Sequence, residues 1–151
     1  MSGRVIIISG YFNPIHSGHL DYIESAREKC DHLIVIVNND KQVEMKGSVQ
    51  FMSEEERLRI VSSIKGVDKA VLSIDEDSTV CQTIRQEHNR LQYDPFVQSI
   101  SFGNGGDRKE GGIAEEILEE ELDIIMLYNL GGEKTQSSSN LIEKVGRHGT
   151  I

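Results

Sequence analysis

Residues 10–20, Gly10-Tyr11-Phe12-Asn13-Pro14-Ile15-His16-Ser17-Gly18-His19-Leu20, decide how this chain is read. The run Val5-Ile6-Ile7-Ile8 precedes them, and such consecutive β-branched apolar residues suit a parallel strand buried on both faces. Glycines and the Asn13-Pro14 pair then mark a tight turn, after which Leu20, Ile23 and Ala26 return at helical spacing. His16 and His19 therefore fall at a helix N-terminus. There the first backbone N–H groups lack intrahelical acceptors and the dipole is positive, so two imidazoles beside the turn add donors that suit a phosphate. A lone pair of histidines at this spacing would be read as a core residue and a turn residue. The glycines, the Asn-Pro turn and the preceding strand favour phosphate chemistry instead.

Outward from this segment, strand-like runs alternate with amphipathic ones. The spacing predicts strands over residues 5–9, 33–37, 70–74, 96–102 and 124–128. Helices are expected from the histidine turn to about residue 29 and over 53–63, 79–89, 113–121 and 137–145. This alternation predicts an α/β fold: a Rossmann-like, doubly wound, five-stranded parallel sheet with helices on both faces, in a single domain over 1–151. Open parallel sheets bind ligands at the carboxyl ends of their strands. The segments 10–19, 38–47, 103–112 and 131–139 should all open on that rim, the last two as glycine- and serine-rich loops.

Composition narrows the function. A formal net charge of -9 disfavours a duplex nucleic-acid binder, which would gather Lys and Arg against phosphates. Small substrates fit better, since a few cations and a helix end can hold a nucleotide in an acidic protein. Cys30 and Cys81 form no C-x-x-C pair and read as reduced thiols. No apolar run reaches membrane-spanning length, and the chain reads as cytoplasmic, without membrane or nucleic-acid partners. His32, His88 and His148 read as surface or packing residues, and Asp75-Glu76-Asp77 as a solvated acidic turn.

Gly10, Phe12, His16, Gly18 and His19 match the G-x-F-x-x-x-H-x-G-H signature, so the chain resembles the cytidylyltransferase-like nucleotidyltransferases, relatives of the HIGH-motif aminoacyl-tRNA synthetases. The resemblance implies transfer of NMP from an NTP to a phosphorylated small molecule, such as a sugar, polyol or alkyl phosphate, with release of pyrophosphate. CMP is favoured by the family label. The late Ser-Ser-Ser-Asn-Leu-Ile run is similar to that of heptose-phosphate adenylyltransferases, which keeps AMP, hence ATP, open. Mg²⁺ is expected to arrive with the NTP phosphates, with no dedicated metal site. Relatives of this kind are commonly homodimers, and a non-catalytic nucleotide-binding module is the alternative class.

The same resemblance assigns residues. His16 and His19 would hydrogen-bond the phosphates and the developing charge, within a nucleotide-binding turn formed by Ser9, Gly10, Tyr11, Phe12, Asn13 and Gly18. Lys46 matches a lysine that meets phosphates, against the reading of a solvated loop lysine. Arg57, in the E-R-x-x-x-V helix, would point to the active site, against a surface ion pair. Ser53 and Glu56 form the pattern of a capping box. Gly103, Asn104, Gly105, Asp107 and Arg108 resemble the stretch near base and ribose, although the segment from Asp94 to Asp107 is longer than usual. Lys134, Gln136, Ser137, Ser138 and Ser139 resemble the loop that holds the β- and γ-phosphates, as counterpart of the synthetase K-M-S-K-S loop.

Overall fold

The protein is described by a computed structural model over residues 3–105 and 113–132. In chain order its elements are β1 (Gly3–Gly10), α1 (Ser17–Glu28), β2 (His32–Val37), α2 (Asp40–Lys46), α3 (Glu54–Ser62) and β3 (Lys69–Leu72). They continue as α4 (Cys81–Leu91), β4 (Val97–Gly105), a 3-10 turn (Ala114–Ile117), α5 (Leu118–Leu122) and β5 (Ile125–Leu130). The sheet order is β3-β2-β1-β4-β5, and every neighbouring pair is parallel. The chain therefore winds outward from β1 through β2 to β3, then returns past β1 to lay down β4 and β5. The crevice between the carboxyl ends of β1 and β4 is the point where winding reverses, and such crevices are where open α/β sheets take ligands.

The strand pleat divides β1 between two cores. Val5 and Ile7 join Ile34, Ile36 and Phe102 beneath Ile84 and Leu91 of α4. Ile6 and Ile8 join Leu33, Val35 and Val37 beneath Ile23 and Ala26 of α1 and Val61 of α3. Strands of this kind have no solvent face, so each position is apolar and alternation is lost. At about 1.5–3 kcal/mol for each fully buried aliphatic side chain, the two layers fix the register of the central strands firmly.

The expected doubly wound parallel sheet is therefore present, with differences in detail. The segment 38–47, read as a loop, contains α2. Its N-cap Asn39 accepts from Gln42 N while the Gln42 side chain accepts from Asn39 N, a capping box within seven helical residues. Strand β4 runs on to Gly105, so Gly103, Asn104 and Gly105 lie in the sheet and not in a loop. β3 spans Lys69–Leu72, earlier than expected, and the helix expected over 113–121 divides into the 3-10 turn and α5. Ser53 caps α3, accepting from Glu56 N at 3.2 Å, which is the serine half of the expected capping box, without a return bond to the Glu56 side chain. Asp75 is not solvated: it is 3% exposed, and its carboxylate accepts from Gln82 N and Thr83 N at the start of α4. The helix expected over 137–145 lies outside the described residues. Among the described residues no helix is long and apolar enough to cross a membrane.

Candidate active site

The two histidines begin α1 by capping it reciprocally. His16 is the N-cap, and its Nδ1 accepts from Gly18 N at 3.1 Å; His19 Nδ1 accepts from His16 N at 3.1 Å. This has the logic of a Ser/Glu capping box, with imidazole nitrogen in place of both oxygens. Because Nδ1 of each ring is the acceptor, each neutral imidazole carries its proton on Nε2. The rings stack at 3.9 Å between centroids, and Phe12 tilts against His19 at 4.9 Å. Two N–H donors of fixed tautomer thus stand together at the positive end of a helix, at the reversal point of the sheet.

The turn that carries them is tightly determined. Phe12 is buried with a left-handed φ of 53°, a backbone state that is uncommon for a bulky residue. Its ring folds back over Gly10, where an added Cβ would lie 2.8 Å from the ring. Gly10 is therefore required by close approach, and it connects Ser9, paired with Ile36 in the sheet, to the loop. Asn13 is 2% exposed and uses its whole amide on one neighbouring segment: Nδ2 donates to Val49 O at 2.6 Å, and Oδ1 accepts from Phe51 N at 2.8 Å. Its side chain is thus engaged in holding the turn against residues 49–52.

Lys46, at the end of α2, places its ammonium 4.4 Å from the centroid of the Tyr11 ring. The cation is exposed, but it is not an isolated loop lysine: α2 delivers it to the histidine turn, and the ring face attracts its charge. Arg57 is also brought to the turn, by a different route. Its side chain is fully buried, with Nε donating to Met52 O at 3.2 Å, Nη1 to Tyr11 O at 2.9 Å and Asn38 O at 2.5 Å, and Nη2 to Asp40 Oδ1 at 2.8 Å. It is neither a surface ion pair nor a group presented to solvent. The guanidinium ties together three stretches around the site, at Tyr11, at Asn38 to Asp40 and at Met52, which makes it a positioning residue in geometry.

On the other side of the crevice, Tyr22 of α1 donates from its hydroxyl to Gly103 O at 2.6 Å. A Cβ on Gly103 would run into Leu130 of β5 and stand 3.1 Å from Ile8 Cγ2 of β1, so the side chains of the two flanking strands require glycine there. Asn104, 2% exposed, donates to Leu127 O at 2.9 Å and braces β4 to β5. Asp94 lies at the opposite rim, where it accepts from Phe96 N before β4 begins. Asp107, Arg108, Lys134, Gln136, Ser137, Ser138 and Ser139 lie outside the described residues. Among those described, no three His, Cys, Asp or Glu side chains come together as metal ligands.

Sequence reasoning missed the support for the site more than its groups. Asn38, Asp40, Gln42 and Met52 were not singled out. The Asn39-x-x-Gln42 spacing was the available signal for α2. Cys30 and Cys81 are free thiols, both pushed up by burial and away from reactive thiolate character.

A parallel sheet in this order, with a paired-histidine helix start at its reversal point, is an α/β arrangement suited to take an anionic ligand at a helix N-terminus. Residues 7–104 match the Cytidylyltransferase-like family, and the chain belongs to it. It is 42% identical over 142 residues to the FAD synthase of Archaeoglobus profundus, covering 93% of this chain and 84% of that one. It is 29% identical to the FAD synthase of Methanocorpusculum labreanum, covering 97% and 99%. Among solved structures it resembles the lipopolysaccharide core biosynthesis protein from Thermoplasma volcanium, with a TM-score of 0.63 at 21% identity, covering 87% of this chain and 98% of that one. That last likeness concerns the fold.

Proposed function

We propose that this nucleotidyltransferase transfers AMP from ATP to FMN, giving FAD and pyrophosphate. The reading is carried by the similarity to a FAD synthase across 93% of this chain. The histidine turn supports the phosphate chemistry, and the relatives' names support the acceptor. The family label alone favoured CMP; FAD is FMN joined to AMP, so ATP becomes the favoured nucleotide.

An FMN phosphate oxygen attacks the α-phosphorus of ATP. The bond to the β-phosphate's bridging oxygen breaks, and pyrophosphate leaves with that electron pair. Negative charge is spread over the phosphoryl oxygens throughout, so catalysis consists of positioning and electrostatic stabilisation. His16 and His19 supply Nε2–H donors, the start of α1 supplies backbone N–H groups and a positive dipole, and Lys46 supplies a full charge. Arg57 acts through Tyr11 O and Asn38 O by holding the turn in place. Imidazole, amide and ammonium groups are poor ligands for Mg²⁺, which prefers oxygen and reaches sites of this kind as the counter-ion of the substrate phosphates.

The test is FAD formation and pyrophosphate release with ATP and FMN, compared with CTP and with phosphorylated sugars and polyols. A doubly substituted His16→Ala/His19→Ala protein serves as control. Transfer to a sugar or polyol phosphate with none to FMN would overturn the acceptor, and equal turnover by the control would overturn the histidine assignment.

A further inference from the structure

Between Met45 and Phe51 the chain fixes its backbone and leaves its apolar side chains bare. Asn13, itself buried, grips Val49 O and Phe51 N with opposite ends of one amide, and Arg57 donates to Met52 O immediately beyond. Yet Met45 is 52% exposed, Val49 58% and Phe51 44%. Single exposed apolar residues need no explanation, but three large ones fall within seven residues here, on the segment that follows the carboxyl end of β2, and together they offer apolar area to a partner. The same stretch carries Lys46, which stands by Tyr11 of the phosphate-binding turn.

A braced apolar wall next to a cation matches one kind of acceptor: a phosphate at one end and a planar aromatic ring system at the other. Small sugar or polyol phosphates would use the cation and the histidines and leave the wall wet. We infer that Met45, Val49 and Phe51 form the platform for the acceptor's ring system and set the preference for FMN over ringless phosphates. This rests on the proposed transfer to FMN and adds the residues that select it. Bracing matters because a backbone already held in place leaves only side-chain rotamers to be ordered when the ring is bound. Met and Phe suit the task, since a polarizable thioether and an aromatic face both pack well on a flat ring.

The experiment is steady-state kinetics of the full chain with ATP and FMN, for wild type, Phe51→Ala and the double variant Met45→Ala/Val49→Ala. Tyr93→Ala, which removes an exposed ring at the opposite rim, is the control for general loss of apolar surface. The platform predicts a KM for FMN raised about tenfold in both wall variants, as expected for losing an aromatic or aliphatic contact with the ligand. The KM for ATP and that for a ringless acceptor such as glycerol 3-phosphate should hold in the same proteins. Wild type that makes FAD, with wall variants unchanged in their KM for FMN, overturns the platform and leaves the reaction standing. Wild type that makes no FAD overturns the reaction and the platform with it. Since these side chains are exposed, folding is expected to survive, and coincident melting curves check this directly.

Discussion

Nη1 of Arg57 donates to the carbonyl oxygen of Tyr11 at 2.9 Å and to that of Asn38 at 2.5 Å, so one buried nitrogen joins the segments that leave β1 and β2. No backbone hydrogen bond can do this, since both groups at that depth are acceptors. Arg57→Met would strand three carbonyls, those of Tyr11, Asn38 and Met52, and the partner carboxylate of Asp40, and should destabilise the fold by about 3 kcal/mol. Arg57→Lys should recover only part of that, because an ammonium lacks the planar fork. Urea denaturation would measure both. A methionine variant as stable as wild type would show that the turn is held by other means.

Asparagine at position 16 separates folding from chemistry. Asn is a good N-cap whose Oδ1 can replace Nδ1, but it lacks the Nε2 donor. His16→Asn should stay within about 0.5 kcal/mol of wild-type stability, whereas His16→Ala should lose about 1 kcal/mol of capping energy. Both should lower kcat about a hundredfold or more through loss of a preorganised donor. An asparagine variant with near-normal kcat would remove His16 from the chemistry.

Gly10→Ala tests the packing chain that leads to the histidines. The new methyl meets the Phe12 ring, which rests against His19. The overlap should cost about 1–3 kcal/mol of stability, as overpacking does. It should also lower kcat, because Phe12 cannot yield without displacing its histidine neighbour. Unchanged kcat in a folded variant would show that the stack has no part in aligning the site.

His32 supplies a pH dependence of stability away from the site. Burial holds its imidazole below the ordinary value and outweighs the nearby Asp68 carboxylate, whose Oδ2 lies 3.8 Å away. The unfolded chain therefore takes up this proton at higher pH than the folded one. The stability contributed by neutral His32 is complete above the ordinary imidazole pKa of about 6.5 and is lost as pH falls below it. Between about pH 7.5 and about pH 5.5 the urea midpoint should fall less in His32→Gln than in wild type. Parallel declines would assign the effect to other groups.

The legible part of this fold was what the local chain encodes. Val5 to Ile8 announced a strand buried on both faces, and the glycine-histidine turn announced both the helix start and the family. α2 escaped because only Gln42 and Val43 of its seven residues are buried, too few to show a helical period. The burial of Arg57 could not be read at all. Its partners come from Tyr11, Asn38, Asp40 and Met52, which are brought together only when β1, β2 and α3 are packed. Asp75 is similar, since it caps α4 from seven and eight residues before the amides it binds. Asn104 was singled out through the family resemblance of its stretch; its Nδ2 donates to Leu127 O, a cross-strand bond that local sequence does not announce.

The division of labour between Asn13 and the residues it holds has an evolutionary reading. The amide grips only main-chain atoms at positions 49 and 51, which every amino acid except proline at the donor position supplies equally. Side chains there can be exchanged while the scaffold beneath them stays constant. Exchanges of the outward-facing side chains at 49 and 51 can therefore remodel the surface beside the histidine turn while the helix start and its two imidazoles stay intact.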